Sequence, residues 1–206
     1  MILEGNHYFT RANSLYKVLY YANAFGVKKT ILDCGAGGRN PPLYIFYSNG
    51  FDCSGIDISQ DSIKKTHDFE KAMNCHLNIK FGDFRCMNID NNIFGCSYSY
   101  NSIFHMSKID VIKAINEMMR VTSNNGLIYF NVLSKRDMLY NIGEEVELDT
   151  FYDDDEKTVH SFWDDNEIEG YIGNMEIIEK DIINMKVKYN GNYIDQSFID
   201  YYFIKN

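Results

Sequence analysis

Asp33-Cys34-Gly35-Ala36-Gly37-Gly38 is entered from the apolar pair Ile31-Leu32 and left through Arg39-Asn40-Pro41-Pro42. The stretch joins a strand end, a glycine turn and a helix start. Glycines accept dihedrals that a Cβ forbids and let a ligand approach the main chain, so such a loop suits a nucleoside. A pyrophosphate would sit on the amides at the next helix N-terminus. Here that helix is expected to open with Asn40 as N-cap and proline, which has no N–H, at its first two positions. The ligand expected is therefore one without phosphate. No lysine follows the glycines, which excludes a nucleotide-triphosphate loop.

Asp57, twenty residues beyond Gly37, ends a second apolar run, Gly55-Ile56-Asp57-Ile58-Ser59, where a carboxylate can accept both hydroxyls of a ribose. Lys80-Phe81-Gly82-Asp83-Phe84 ends a third, offering Asp83 to an exocyclic amine and the Phe84 ring to a base. A fourth run, Ser97-Tyr98-Ser99-Tyr100-Asn101, leads into Ile103-Phe104-His105-Met106 and should form the site floor. His105 titrates near neutrality and is the candidate general base; its other reading is a structural hydrogen bond. His160, in Thr158-Val159-His160-Ser161-Phe162-Trp163, either lines a substrate pocket or is a core or surface histidine. Tyr8 and Phe9 are placed to close over a ligand or to pack.

The elements that must position these residues alternate. An amphipathic helix from Thr10 to Phe25 is followed by strand 30–34, helix 41–49, strand 52–57, helix 60–74, strand 77–82, strand 94–100, helix 107–121 and strand 126–133. Alternation of this kind predicts a parallel sheet with right-handed crossovers and its site beyond the carboxyl strand ends. Residues 135–157 read as an acidic, weakly periodic insertion or lid. Asp164 and Glu167 make a capping-box-like start to a short helix. Met175–Tyr189 and Tyr193–Ile204 flank Asn190-Gly191-Asn192, a hairpin signal. The expected single domain has a helical cap over 1–27, a cofactor-binding core over 28–134, the insertion over 135–173 and the hairpin over 174–206.

Net charge is −9, but residues 144–169 alone hold twelve carboxylates against Lys157, so the remainder carries a small excess of base. Such a block repels nucleic-acid phosphate and anionic membrane; it reads as a solvated face or as a cation-attracting lid. Five cysteines, an odd number without a C-x-x-C pair, read as reduced core residues, and no metal site is expected. No apolar run approaches the roughly 20 residues of a membrane span. The N-terminal residues lack a basic region followed by an apolar segment, so a soluble cytoplasmic protein is expected. No oligomeric state follows from these residues.

Asp33 with Gly35 and Gly37, Asp57, Gly82-Asp83, Phe104-His105-Met106 and the terminal hairpin together resemble the class I S-adenosylmethionine-dependent methyltransferases, over residues 28–134 and more loosely the hairpin. The resemblance implies a Rossmann-like α/β fold: a seven-stranded, mostly parallel sheet, helices on both faces, the last strand antiparallel. It implies S-adenosylmethionine as cofactor, held by Asp33, Gly35, Ala36, Gly37, Asp57, Ile58, Asp83, Phe84 and Ser99. Tyr8, Tyr100 and His160 would line the acceptor site, with His105 as base. The family's frequent third glycine is Arg39 here, and its acid near the start of strand four is Gly95. The expected activity is methyl transfer to a small neutral or cationic molecule. The alternatives are a protein that binds the cofactor without turnover and, disfavoured by Pro41-Pro42, a nicotinamide-dependent oxidoreductase.

Overall fold

Leu32 and Cys34 point to one side of β1 (Thr30–Cys34) and Ile31 to the other, and all three are buried, so both faces of the sheet must be covered. The computed structural model describes residues 12–154, 157–173, 175–189 and 192–206. In it β3 (Ile79–Phe81), β2 (Asp52–Asp57), β1, β4 (Phe94–Ser99) and β5 (Thr122–Ser134) lie side by side and parallel. β10 (Asn192–Ile204) adds antiparallel to β5, and β9 (Glu176–Tyr189) antiparallel to β10. These seven strands are the expected Rossmann-like sheet with its closing hairpin. The Asn190-Gly191 turn lies outside the described residues.

Helices α1 (Asn13–Ala24), α2 (Leu43–Tyr47) and α3 (Gln60–Met73) cover one face through Leu15, Val18, Phe46 and Ile63. α4 (Lys108–Val121) covers the other through Val111, Ile115 and Met118. Each long crossover helix starts at a serine. The Ser59 hydroxyl accepts from Ser62 N at 3.2 Å, and that of Ser107 from Asp110 N at 3.4 Å. Lys17 of α1 pairs with Glu179 at 2.6 Å and Asp181 at 2.5 Å, clamping the helix onto the hairpin.

The helix expected over 41–49 is only Leu43–Tyr47, and Pro42, not Asn40, stands at its N-cap without a side-chain cap. It stops where Asn49 N turns to Phe46 O at 3.0 Å, the Asn49 side-chain amide takes Ile45 O at 2.8 Å and Gly50 enters φ +79°. The insertion is more ordered than its composition suggests. β6 (Glu144–Glu147), β7 (Thr150–Asp153) and β8 (Thr158–Trp163) form an antiparallel meander. β8 also pairs in parallel with β5 (Leu133 with Phe162, Ser134 with Trp163), on the side that β4 vacates beyond Phe130. Phe104, Leu133, Phe151, Phe162 and Phe198 form its small core.

Glu144, Glu145 and Glu147 of the acidic block are exposed, but Asp149, Asp164, Asp165, Glu167 and Glu169 are paired by cations from outside it. Lys108 meets Asp149 at 2.9 Å and Glu167 at 2.7 Å, Lys135 meets Asp149 at 2.9 Å and Asp164 at 2.7 Å, and Lys180 meets Glu169 at 2.5 Å. Arg136 grips Asp165 with both terminal nitrogens. Only half of the expected capping box forms: Glu167 accepts from Asp164 N at 3.1 Å, while the Asp164 carboxylate goes to Lys135. The result is a single 3-10 turn, Ile168–Gly170. All five cysteines are free. Cys34, Cys53 and Cys96 are buried, but Cys75 is half-buried and Cys86 exposed, so the core reading holds for three.

Candidate functional site

The glycine loop spends its amides on the protein. Gly35 N and Ala36 N donate to Ile56 O at 2.9 and 3.1 Å, Gly37 N to Asp57 Oδ2 at 2.8 Å, and Gly38 N to Ser62 O at 3.1 Å and Thr66 Oγ1 at 3.0 Å. A phosphate would find none of these four donors to spare. The exclusion argued from Pro41-Pro42 is thus reached by another route. Gly35 sits at φ +97°, and a Cβ there would stand 2.0 Å from Ser102 Oγ, so this glycine lets the residues after β4 press against the loop. At Gly37 a Cβ would meet Ser62 Cβ at 2.5 Å and Asp57 Oδ2 at 2.7 Å.

Asp57 stands half-buried at the end of β2, its second oxygen accepting from Ser59 N at 2.7 Å. One backbone donor on each oxygen fixes the carboxylate while leaving lone pairs for hydroxyls, which suits a ribose. Ile58 beside it is 61% exposed, an apolar side chain at the rim with surface for a flat ring. Asp83 lies at the end of β3, where Arg85 Nε and Nη2 grip its carboxylate at 2.6–3.0 Å, and Arg85 Nη1 continues to Asp110 of α4 at 2.5 Å. The Arg85 hydrogen bonds hold the Asp83 carboxyl below its ordinary range. The Phe84 ring is buried in the core on the α4 side.

Asp33 is buried, and the Tyr98 hydroxyl donates to its Oδ2 at 2.6 Å across the β1–β4 pair. Burial pushes its carboxyl up to about 7 against the pull of that hydroxyl. Ser99, also buried, donates to Cys34 O at 2.8 Å, and Ala36 is buried within the loop. These three shape the cradle from behind rather than line its surface.

After β4 the chain turns sharply. Asn101 adopts φ +52°, a conformation asparagine tolerates. It is held by a reciprocal pair: its N–H donates to Asn131 Oδ1 at 2.7 Å, and Asn131 Nδ2 donates to its Oδ1 at 2.6 Å. One turn later, with His105 N on Ser102 O at 3.1 Å, His105 faces β8. His160 Nε2 lies 2.9 Å from His105 Nδ1, and His160 Nδ1 lies 3.6 Å from Asp153 Oδ2. Burial first, then the facing His160, lowers His105 to about 4, with Asp153 opposing. The imidazole is therefore neutral at physiological pH, and burial makes it a weaker base than the near-neutral titration expected from the sequence.

The structure thus joins His105 and His160, which the sequence left as separate candidates. Tyr100 lines a cavity of about 250 Å3 beside β5. Tyr8 lies outside the described residues. Tyr98, Asn131, Asp153 and Asp200 are the residues that sequence reasoning passed over. Asn131 and Asp200 each interrupt an apolar strand run, Leu127–Leu133 and Phe198–Phe203, a signal present in the sequence. Among the described residues no three His, Cys, Asp or Glu side chains are arranged to hold a metal, and no helix is long and apolar enough to cross a membrane.

Residues 32–130 match the family model described as a methyltransferase domain. None of the curated proteins matches. Among solved structures the chain is similar to the PH0226 protein of Pyrococcus horikoshii OT3, with a TM-score of 0.76 at 18% identity, covering 98% of this chain and 93% of that one. It is similar to an S-adenosylmethionine-dependent methyltransferase of Clostridium acetobutylicum ATCC 824, with a TM-score of 0.69 at 15% identity over 92% and 89% of the two chains. It is also similar to the [4+2]-cyclase SpnF, with a TM-score of 0.66 at 14% identity over 94% and 81%. Strand order and domain match give the chain the fold of the S-adenosylmethionine-dependent methyltransferases, and the methyltransferase domain over residues 32–130 implies S-adenosylmethionine as its cofactor.

Proposed function

We infer that this protein methylates a small neutral or cationic molecule in the cytoplasm. The observation that carries the reading is the combination of a glycine loop with no amide left for phosphate and a rim carboxylate, Asp57, pinned by Gly37 N and Ser59 N. Small size of the acceptor is supported by the cavities flanking the β4 exit, about 230 Å3 beside His160 and 250 Å3 beside Tyr100.

When bound, the cofactor supplies an electrophilic methyl carbon on a sulfonium, open to in-line displacement. Asp57 would hold the ribose hydroxyls and Ile58 would offer an apolar face to the adenine, with Asp83 and the main chain of Phe84 near its edge. Gly35, Ala36 and Gly37, backed by Asp33 and Ser99, shape the methionine end. Tyr100 and His160 border the acceptor. With His160 Nδ1–H directed at Asp153, His160 Nε2 accepts from His105 Nδ1–H, which makes His105 Nε2 the basic atom. Alignment of the acceptor with the methyl carbon would supply most of the rate.

A second reading, cofactor binding without methyl transfer, is favoured by the likeness to a cyclase, since one fold hosts different chemistries. Titration with S-adenosylhomocysteine, followed by incubation with S-adenosylmethionine and a panel of small amines, phenols and thiols read by mass spectrometry, tests both. Heat and a product 14 Da heavier are expected. Heat without any product favours the second reading, and no heat overturns both.

A further inference from the structure

Asp200 stands in the middle of β10 among Phe198, Ile199, Tyr201 and Tyr202, and only 1% of it is exposed. Its Oδ2 accepts from the Tyr129 hydroxyl at 3.1 Å. Its Oδ1 has no hydrogen-bond partner, and among the described residues it is the one buried side-chain nitrogen or oxygen so left. A carboxylate oxygen removed from water without a donor is costly, and such an atom marks a place where a donor belongs.

The surroundings say where that donor comes from. Asp200 lines the cavity of about 250 Å3 together with Tyr100, Asn101, Asn131, Gln196 and Phe198. The polar groups around it leave Oδ1 unserved: Asn101 and Asn131 bond to each other, the Tyr202 hydroxyl reaches Oδ2 at 3.5 Å, and Ser14 lines the same cavity. The cation on the neighbouring helix, Lys17, is held by Glu179 and Asp181. Among the described residues Asp200 is thus the one acid on a cavity whose other polar walls are uncharged.

The cavity is also in the right place. Tyr100 and Asn101 follow Ser99 directly, and Ser99 is bonded to Cys34 at the mouth of the glycine loop. We propose that this cavity is the methyl-acceptor pocket, and that the acceptor is a small amine whose nitrogen donates to Asp200 Oδ1. The proposal rests on the methyltransferase reading and deepens it. An amine is favoured over an alcohol because its ammonium form brings a positive charge to the carboxylate as well as a hydrogen bond, and it sheds that proton before the nitrogen can attack a methyl group. The volume falls below the roughly 300–1,000 Å3 of drug-sized ligand sites, which keeps the acceptor small.

The test is calorimetry on the full chain in two stages. S-adenosylhomocysteine is titrated first; no heat at this stage overturns the methyltransferase reading itself. The saturated protein is then titrated with butylamine, benzylamine and 1,4-diaminobutane, and with butanol and benzyl alcohol as uncharged counterparts. An amine is expected to bind at least tenfold more tightly than its alcohol. Asp200→Asn, which keeps the shape, should abolish that preference while leaving S-adenosylhomocysteine affinity within twofold. Ile183→Trp, on the half-exposed wall of the cavity, should block amine binding by filling it, and it keeps the test decisive if Asp200→Asn folds poorly. Cofactor-product binding without any amine binding, unchanged amine binding in either variant, or loss of S-adenosylhomocysteine along with the amine in Asp200→Asn would each overturn the assignment.

Discussion

His160 Nε2 and His105 Nδ1, 2.9 Å apart, share one hydrogen, so a charge on either ring is felt by the other. The contact joins β8 of the meander to the turn after β4. It makes the inserted segment a participant in whatever proton movement occurs at the strand edge.

Because His105 is lowered from 6.5 to about 4, the unfolded chain binds its proton first as pH falls. This group's contribution to stability is present above pH 6.5 and is lost between about 6.5 and 4, a range worth about 3 kcal/mol. Asp33 and Asp200, raised to about 7 and about 6, act in the opposite sense over much of that window. The comparison to make is therefore wild type against His105→Gln. The difference in their melting temperatures should shrink or reverse as pH falls from 7 to 5; parallel curves would contradict the assignment.

Asp57→Ala should weaken S-adenosylhomocysteine binding by about 1–3 kcal/mol, roughly five- to 150-fold, since it removes both the acceptor of the ribose and the anchor of Gly37 N. Calorimetry reads this directly. Unchanged affinity would remove Asp57 from the site.

Gly35→Ala faces both a positive φ and the Ser102 hydroxyl. A loss of about 2–4 kcal/mol of stability is expected from denaturant unfolding, together with loss of cofactor binding. Adding Ser102→Gly should restore only part of it, because the backbone strain at φ +97° remains.

Asp149 gathers Lys108, Lys135 and Tyr140. Burial raises its carboxyl, but those three hydrogen bonds outweigh it and hold it at about 2. Asp149→Ala should cost about 1–3 kcal/mol near neutral pH. That cost should fade as pH drops from about 3.8 towards 2, where the wild-type carboxylate takes up its proton. Paired acid-unfolding curves would show it.

The parallel core was legible because most of its strands are short apolar runs separated by segments of helical spacing. Strands 30–34 and 52–57 agree with β1 and β2 residue for residue. Asp57 could be placed because its position follows from local order along the chain. The meander was not legible: its strands carry carboxylates whose partners, Lys108, Lys135 and Lys180, lie in other parts of the sequence. The roles of Asp33 and Ser99 were hidden for a related reason. Whether a strand-end polar group faces a ligand or the strand beside it depends on neighbours such as Tyr98 that only the sheet supplies. His105 and His160 are 55 residues apart, and no spacing rule joins them.

The pairing of β8 with β5 at Leu133 and Ser134 has one more implication. A segment stitched onto β5 cannot swing like a door, since opening it would mean tearing main-chain bonds and pulling Trp163 out of the interior. Traffic to and from the reaction centre must then pass around the meander, and changes in what the enzyme accepts would come by resculpting its aromatic walls rather than by adjusting a hinge.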